Sequence, residues 1–131
     1  MKLDDLTVQE FTSPAPITVN PEESLDRGLE LMQKYGIRHL PVIQEGEVVG
    51  VVSERDLLSN IGKDWTKMMT ILDVMNTSIL SAHENDPLGE VTFQLSSQKK
   101  GSAIILDDDG QLAGIFTTTD ALNALVEIFF S

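Results

Sequence analysis

The sequence lacks cysteine and is poor in histidine. Of its 131 residues, none is cysteine and two are histidine. The absence of cysteine excludes disulfides, zinc–thiolate sites and thiol nucleophiles. His39 and His83 are far apart in the sequence, and neither has a second histidine or cysteine at ligand spacing. We therefore expect no metal site.

Positive charge is also scarce. Nine lysines and arginines stand against 21 aspartates and glutamates, which gives a formal net charge of −12. This charge repels the phosphate backbone on which most nucleic-acid affinity depends, so no nucleic-acid partner is expected. A small anionic ligand is compatible with it, because such a ligand needs only a few local donors.

Long apolar runs are missing as well. No apolar stretch approaches the roughly 18 residues that a membrane-spanning helix needs. Met1-Lys2-Leu3-Asp4-Asp5 lacks the apolar stretch of a signal peptide. The composition, with 41% hydrophobic and 23% charged residues, is typical of soluble globular domains. The sequence thus predicts a cytoplasmic location and no membrane partner.

Recognised catalytic motifs are not found. The sequence has no Gly-x-Ser-x-Gly motif and no Walker-type loop with its lysine. Acidic residues are abundant, but abundance does not identify a pair poised for proton transfer. We therefore predict no enzyme activity, no catalytic residue and no required cofactor.

What the sequence does contain is an internal tandem repeat. Thr7-Val8-Gln9-Glu10-Phe11 recurs as Thr70-Ile71-Leu72-Asp73-Val74, 63 positions later. Residues 46–50 recur as 110–114, at an offset of 64. Such self-similarity predicts two copies of one structural unit, residues 1–63 and 64–131. One copy alone has little core, so the two copies are expected to form one folding unit.

Each repeat has the pattern of a β-α-β-β-α unit. The first helices are expected to begin at Ser24 and at Asp86-Pro87, and the second helices after Ser53 and Thr117. The predicted strands cover residues 17–19, 40–43 and 48–52 in the first repeat, and 80–82, 103–106 and 112–116 in the second. The predicted fold class is α/β (α+β), with two pseudo-twofold-related repeats packed through their sheets.

Apolar spacing predicts which residues are buried. In the first helix, Leu25, Leu29, Met32 and Tyr35 recur at three to four positions and should form one apolar face. Residues 62–67 are interpreted as a linker, whose Trp65 is expected to pack in the core rather than stack on a ligand.

The most repeated local pattern is Gly-h-h-Ser/Thr-x-x-Asp, where h is apolar. It occurs as Gly50-Val51-Val52-Ser53-Glu54-Arg55-Asp56 and as Gly114-Ile115-Phe116-Thr117-Thr118-Thr119-Asp120. With Gly36-Ile37-Arg38-His39-Leu40-Pro41-Val42 and Asp73-Val74-Met75, the sequence resembles the cystathionine β-synthase (CBS) domain family. The resemblance covers residues 8–126 as the paired arrangement often called a Bateman module.

The resemblance implies a regulatory, ligand-sensing module. In that family an adenosine nucleotide or related adenosyl compound binds in the cleft between repeats, so candidate ligands are AMP, ADP, ATP and S-adenosylmethionine. The ribose would lie on the aspartate and the hydroxyl near ribose or phosphate, that is Asp56 with Ser53 and Asp120 with Thr117. The candidate ligand-binding residues are Thr18, Arg38, His39, Pro41, Ser53, Arg55 and Asp56 in the first repeat, and Ser81, Lys100, Ser102, Thr117 and Asp120 in the second.

Two alternatives stay open at this point. Ser/Thr-x-x-Asp is also close to a capping box, in which both side chains only satisfy free N–H groups at a helix start. The chain would then be a structural dimerisation module with degenerate, ligand-free sites. Basic residues do not decide between the repeats, because Arg38-His39 with Arg55, or Lys99-Lys100, could each hold a phosphate.

A homodimer is the expected assembly. Leu57, Leu58, Leu122 and Leu125 are apolar residues of the second helices that would need a partner surface after packing within the chain. The family resemblance supports a flat disc of four repeats.

Overall fold

The computed structural model describes residues 3–14 and 17–130, which form a mixture of helices and strands. The helices are α1 (Leu25–Tyr35), α2 (Glu54–Leu58), α3 (Ile71–Val74), α4 (Leu88–Gln98) and α5 (Thr118–Phe130). The strands are β1 (Ser13–Pro14), β2 (His39–Gln44), β3 (Glu47–Ser53), β4 (Leu80–His83), β5 (Ser102–Leu106) and β6 (Leu112–Thr117). Short 3₁₀ helices cover Leu3–Asp5, Val8–Phe11 and Thr66–Met68. The predicted mixture of α and β elements is confirmed.

These elements form two compact units. The continuous unit is Ile17–Ile79, and the composite unit combines Met1–Pro16 with Leu80–Ser131. The units therefore differ from the sequence repeats 1–63 and 64–131, which stay a prediction from sequence similarity. Each unit has its own buried apolar cluster. No helix in the described ranges is both long and apolar enough to cross a bilayer.

The continuous unit is built on the antiparallel hairpin of β2 and β3. Its turn residues, Glu45 and Gly46, have φ angles of 51° and 82°. Positive φ at both central residues is typical of the type I′ turn, whose twist matches that of the strands. A register shift follows Val42, so that Val42 pairs with Gly50 and Ile43 with Val48.

The strand predicted at residues 17–19 is reduced to one parallel bridge, between Val19 and Val42. The amide of Val19 donates to the carbonyl of Pro41 at 3.1 Å, and the amide of Ile43 donates to the carbonyl of Val19 at 2.8 Å. The next bond of this ladder would need an N–H group on residue 41. Proline has none, so the ladder stops there.

The composite unit has a four-stranded sheet in the order β1-β6-β5-β4. Here Ile104 pairs with Ser81 at the position that corresponds to Pro41, and β4 forms a full parallel ladder with β5. At the opposite edge, β1 pairs antiparallel with β6, with Ser13 opposite Ile115.

Each unit includes a segment that belongs to the other repeat in the sequence. Residues 3–14 lie in repeat 1–63 but belong to the composite unit, and Ile71 lies in repeat 64–131 but belongs to the continuous unit. In the composite unit, the amide of Val8 donates to Asp86 and the amide of Leu88 donates to Leu6, each at 2.9 Å. In the continuous unit, the amide of Ile71 donates to the carbonyl of Glu23 at 2.9 Å, and the Ile71 side chain is fully buried. Apolar burial at Leu6, Val8 and Ile71 stabilises these contacts.

Local signals set both ends of α1, and its start at Ser24 was predicted correctly. The Ser24 hydroxyl accepts a hydrogen bond from the amide of Arg27 at 3.1 Å. The helix ends at Gly36, which is left-handed with φ 64°. Leu25 and Met32 are buried as predicted, but the prediction for Tyr35 was wrong. Tyr35 is 48% exposed, because the buried face of α1 ends with Leu31 and Met32 and does not extend to Tyr35.

Two further packing expectations were wrong. Trp65 is 51% exposed, with the Lys63 ammonium 5.4 Å from its ring centroid, instead of packing in the core. Leu57 was expected to remain free for a partner, yet it is fully buried. The reason is Gly28 on α1, whose missing side chain leaves room for the Leu57 methyl groups.

We predict that Gly114→Ala destabilises the composite unit by about 1 to 3 kcal/mol. An added Cβ would lie 2.5 Å from the Ser13 carbonyl oxygen and 2.5 Å from Thr12 Cγ2, so the paired backbone must move. Urea denaturation followed by circular dichroism measures the change. The matched control is Gly89→Ala in α4, where an added Cβ has no neighbour within 4 Å. An unchanged midpoint for Gly114→Ala would contradict the close contact with β1.

Candidate functional site

The first repeated motif closes a capping box at the start of α2. The amide of Ser53 donates to Asp56 Oδ2 at 2.9 Å, and the amide of Asp56 donates to Ser53 Oγ at 3.1 Å. Two N–H groups that the helix leaves unpaired are thereby satisfied by side chains. The alternative interpretation of this motif as a helix cap therefore has the right geometry.

The second motif repeats this arrangement at the start of α5. The amide of Thr117 donates to Asp120 Oδ2 at 2.8 Å, and the amide of Asp120 donates to Thr117 Oγ1 at 3.3 Å. The Thr117 hydroxyl also donates to Asp120 Oδ2 at 3.1 Å.

Both caps use one carboxylate oxygen only. In residues 3–14 and 17–130, the hydrogen bonds of Asp56 and Asp120 side chains go to Oδ2, and none goes to Oδ1. Both aspartates are partly exposed. An ionised carboxylate has about four acceptor positions, so each Oδ1 can still accept from a ligand hydroxyl. Capping and ligand binding are therefore compatible on the same aspartate.

Strand pairing places the beginning of one strand beside each cap. His39 is paired with Ser53, and the amide of Glu54 donates to the carbonyl of Arg38 at 2.8 Å. In the composite unit, Ser102 is paired with Thr117 in the same way. These contacts bring residues that are far apart in sequence to one edge of each sheet.

The preceding segment reaches the same edge in each unit. Thr18 is exposed and directly precedes Val19, whose amide donates to Pro41. Pro41 itself is buried. Ser81 is exposed and pairs with Ile104, two residues beyond Ser102. The structure thus gathers the candidate residues of each repeat within its own unit.

The continuous unit has three basic groups at this edge. Arg38 and Arg55 are exposed, and within the described ranges neither forms an ion pair. His39 is half-buried, and burial lowers its pKa below the ordinary value. The nearby Asp56 carboxylate opposes this shift of the His39 pKa, whereas the Arg38 charge adds to it.

The lysines of the second repeat occupy a different position. Lys99 ends α4 in the left-handed conformation with φ 54°, as Gly36 ends α1, and the amide of Lys100 donates to the carbonyl of Leu95 at 3.0 Å. The amide of Thr118 donates to the carbonyl of Gly101 at 3.1 Å, which makes Gly101 the counterpart of Arg38. Sequence reasoning missed this, because only the backbone contact shows which residues correspond.

His83 lies outside this edge and supports a turn. Its Nε2 is 2.6 Å from Asp108 Oδ1, and its Nδ1 accepts from the amide of Asn85 at 3.0 Å. The contact joins the end of β4 to the turn between β5 and β6. Across the described part of the chain, no group of three or more His, Cys, Asp or Glu residues is arranged to hold a metal ion.

Comparison with known proteins identifies the family. The family model of the CBS domain matches twice, at residues 8–63 and 71–127. The chain belongs to the CBS domain family. The tandem CBS arrangement expected from the repeated motif is thereby confirmed.

Solved CBS pairs have the same fold. CBSX2 of Arabidopsis thaliana, solved in complex with AMP, has a TM-score of 0.79 and 31% identity, over 93% of this chain and 97% of that one. The CBS domain pair of protein MJ0100, solved with 5′-methylthioadenosine and S-adenosyl-L-methionine, has a TM-score of 0.84 and 25% identity, over 94% and 98% of the two chains.

Among curated proteins, an L-aspartate semialdehyde sulfurtransferase of Methanocaldococcus jannaschii is 27% identical over 121 residues. The match covers 92% of this CBS chain and 23% of that relative. Two other relatives from the same organism are matched over 48% and 40% of their length. The chain thus spans less than half the length of these curated relatives.

We predict that His39 makes the protein less stable in mild acid. Its folded pKa is below the ordinary 6.5, so as the pH falls below 6.5 the unfolded chain takes up the proton first. The free energy of unfolding therefore falls between that pH and the folded pKa, and is retained above it. Urea midpoints at several pH values for the wild type and His39→Gln measure this. His83→Gln, the control, should keep the acid-dependent loss, and an equal loss in His39→Gln would contradict the assignment.

Proposed function

We propose that this chain is a regulatory module that binds an adenosine nucleotide or a related adenosyl compound. The observation that carries the proposal is the recurrence, in both units, of a capped aspartate whose Oδ1 has no hydrogen bond within the described residues, beside the start of a paired strand. The solved complexes of CBSX2 with AMP and of MJ0100 with adenosyl compounds support this ligand class.

The geometry suits a ribose. Its two neighbouring hydroxyls are donors, and a hydrogen bond to an ionised acceptor is stronger than one between neutral groups. The cap already holds each carboxylate in one orientation, so little side-chain freedom is lost when the ligand binds. We assign the ribose to Asp56 with Ser53 and to Asp120 with Thr117. AMP, ADP, ATP and S-adenosylmethionine are the candidate ligands.

We assign this chain no catalytic step. The name of the sulfurtransferase relative describes the whole of that protein, and this chain matches only 23% of its length. At each edge a hydroxyl and a carboxylate accept hydrogen bonds from backbone amides, and in the composite unit the Thr117 hydroxyl also donates to the Asp120 carboxylate. They are suited to holding a ligand, and the regulated activity would belong to another domain or protein.

The second candidate is a structural dimerisation module, and the capping boxes favour it. If the aspartates only cap their helices, no ligand is needed to explain the repeated motif. Exposed apolar side chains on α5 also favour association, since Leu122 is 60%, Leu125 45% and Phe129 76% exposed.

We predict a homodimer formed through α5. Light scattering should give about twice the chain mass of 14.4 kDa at micromolar concentration. Leu122→Lys with Leu125→Lys should shift the protein toward monomer, because charges would replace apolar contact area. Phe93→Lys, at another exposed apolar side chain on α4, should leave the dimer intact. A wild-type monomer would count against the four-repeat disc.

The ligand proposal predicts that Asp56→Ala and Asp120→Ala each weaken binding at their own site. Loss of a hydrogen bond to a charged group corresponds to roughly ten- to a hundredfold in affinity. A thermal-shift screen with AMP, ADP, ATP and S-adenosylmethionine first identifies the ligand, which raises the melting midpoint when it binds the native state. Calorimetric titration then measures affinity in each variant.

The control for these variants is Asp73→Ala. Asp73 Oδ2 accepts from the amide of Thr70 at 2.8 Å, so it caps α3 as the other two aspartates cap theirs, but it lies outside the proposed sites. It should cost about 0.5 to 2 kcal/mol of stability and leave affinity unchanged. If Asp56→Ala, Asp120→Ala and the double variant behave like this control, the aspartates are caps and the ligand assignment is wrong.

A further inference from the structure

The two edges differ in charge where the backbone makes their residues equivalent. Glu54 bonds to the carbonyl of Arg38, and Thr118 bonds to that of Gly101. His39 and Ser102 correspond in the same way, because His39 is paired with Ser53 and Ser102 is paired with Thr117. Arg55 directly precedes Asp56, and its counterpart before Asp120 is Thr119. Both arginines at the edge of the continuous unit are thus replaced by neutral residues, Gly101 and Thr119, in the composite unit.

The lysines of the second repeat do not restore this charge at the equivalent positions. Lys99 and Lys100 lie at the C-terminal end of α4, before the strand edge begins at Gly101. Positive side chains there complement the partial negative charge of a helix C-terminus. Lys99 corresponds to Gly36, and both end their helices in the left-handed conformation.

We propose that the two sites select different classes of adenosyl ligand. The site of the continuous unit takes a ligand that carries a phosphate, and the site of the composite unit takes one without a phosphate. This inference rests on the proposed function, because it assumes that both capped aspartates hold a ribose.

Electrostatics gives the reason for the difference. Arg38 and Arg55 have no carboxylate partner within the described ranges, so their donors are available to a phosphate. Charge-assisted hydrogen bonds from arginine to phosphate are among the stronger ones in proteins. In the composite unit, a phosphate near Asp120 would meet the aspartate charge with no basic side chain at the matched positions. Repulsion between like charges then favours an uncharged ligand group.

The test compares AMP with adenosine, which differ by one phosphate. Calorimetric titrations use the full chain with one site weakened, Asp120→Ala to report the continuous unit and Asp56→Ala to report the composite unit. If Asp56→Ala or Asp120→Ala fails to fold, the corresponding asparagine variant is used in its place, because asparagine keeps a capping oxygen. We expect AMP to bind at least about tenfold more tightly than adenosine in the first case, and no more tightly in the second.

Charge-removing variants identify the groups responsible. Arg38→Gln with Arg55→Gln, added to Asp120→Ala, should lower the affinity for AMP to that for adenosine. The affinity for adenosine itself should stay unchanged. Lys99→Gln with Lys100→Gln, in the same background, is the matched control and should preserve the preference for AMP. Rising salt should also reduce the AMP preference, because exposed charges are screened.

The outcomes separate the two proposals. If neither AMP nor adenosine binds the wild-type chain at any concentration tested, the adenosine-ligand function fails and this inference fails with it. If both bind but each site prefers AMP equally, the function stands and the difference between sites is overturned. Loss of the AMP preference in the lysine variant also overturns it, because the phosphate would then lie at the end of α4.

Discussion

Both units depend on a close backbone contact at one glycine of the second hairpin strand. A Cβ at Gly50 would lie 3.0 Å from the carbonyl oxygen of Asn76, and one at Gly114 would lie 2.5 Å from that of Ser13. The missing side chain at each glycine lets a neighbouring segment of the same unit lie directly on the strand. In the continuous unit, Val51 and Asn76 exchange hydrogen bonds of 2.9 and 3.0 Å at this contact. The same strand then delivers the capping residues three positions later, so packing and site geometry share one constraint.

One carboxylate can serve both helix capping and the ligand binding proposed above. In each unit Oδ2 stabilises the fold, and the partly exposed aspartate retains Oδ1 as an acceptor. An aspartate held in this way is pre-organised, because the conformational entropy of its side chain is lost on folding rather than on binding. Capping alone therefore explains why the motif is repeated. The charged residues around each copy are not needed for capping, so they can differ between the units.

Features set by neighbouring residues could be predicted from the sequence. Ser24 and the hairpin glycine Gly46 act within a few residues, so the helix start and the turn were located correctly. Features set by distant residues could not. Burial of Leu57 depends on the absence of a side chain at Gly28, and the loss of a strand ladder depends on Pro41 lying opposite it. The candidate ligand-binding residues stay a prediction, and which of them correspond between the repeats could be read only from the backbone hydrogen bonds.

The interleaved connectivity also sets an order of assembly during synthesis on the ribosome. All residues of the continuous unit have left the exit tunnel once residue 79 has emerged, while the rest of the chain is still being translated. Residues 3–14 must wait much longer, because Ser13 pairs with Ile115 on a strand near the other end of the chain. Until then Leu6 and Val8, both buried in the finished fold, face water in the nascent chain. Slow translation of the second half would prolong that exposure and the risk of aggregation that accompanies it.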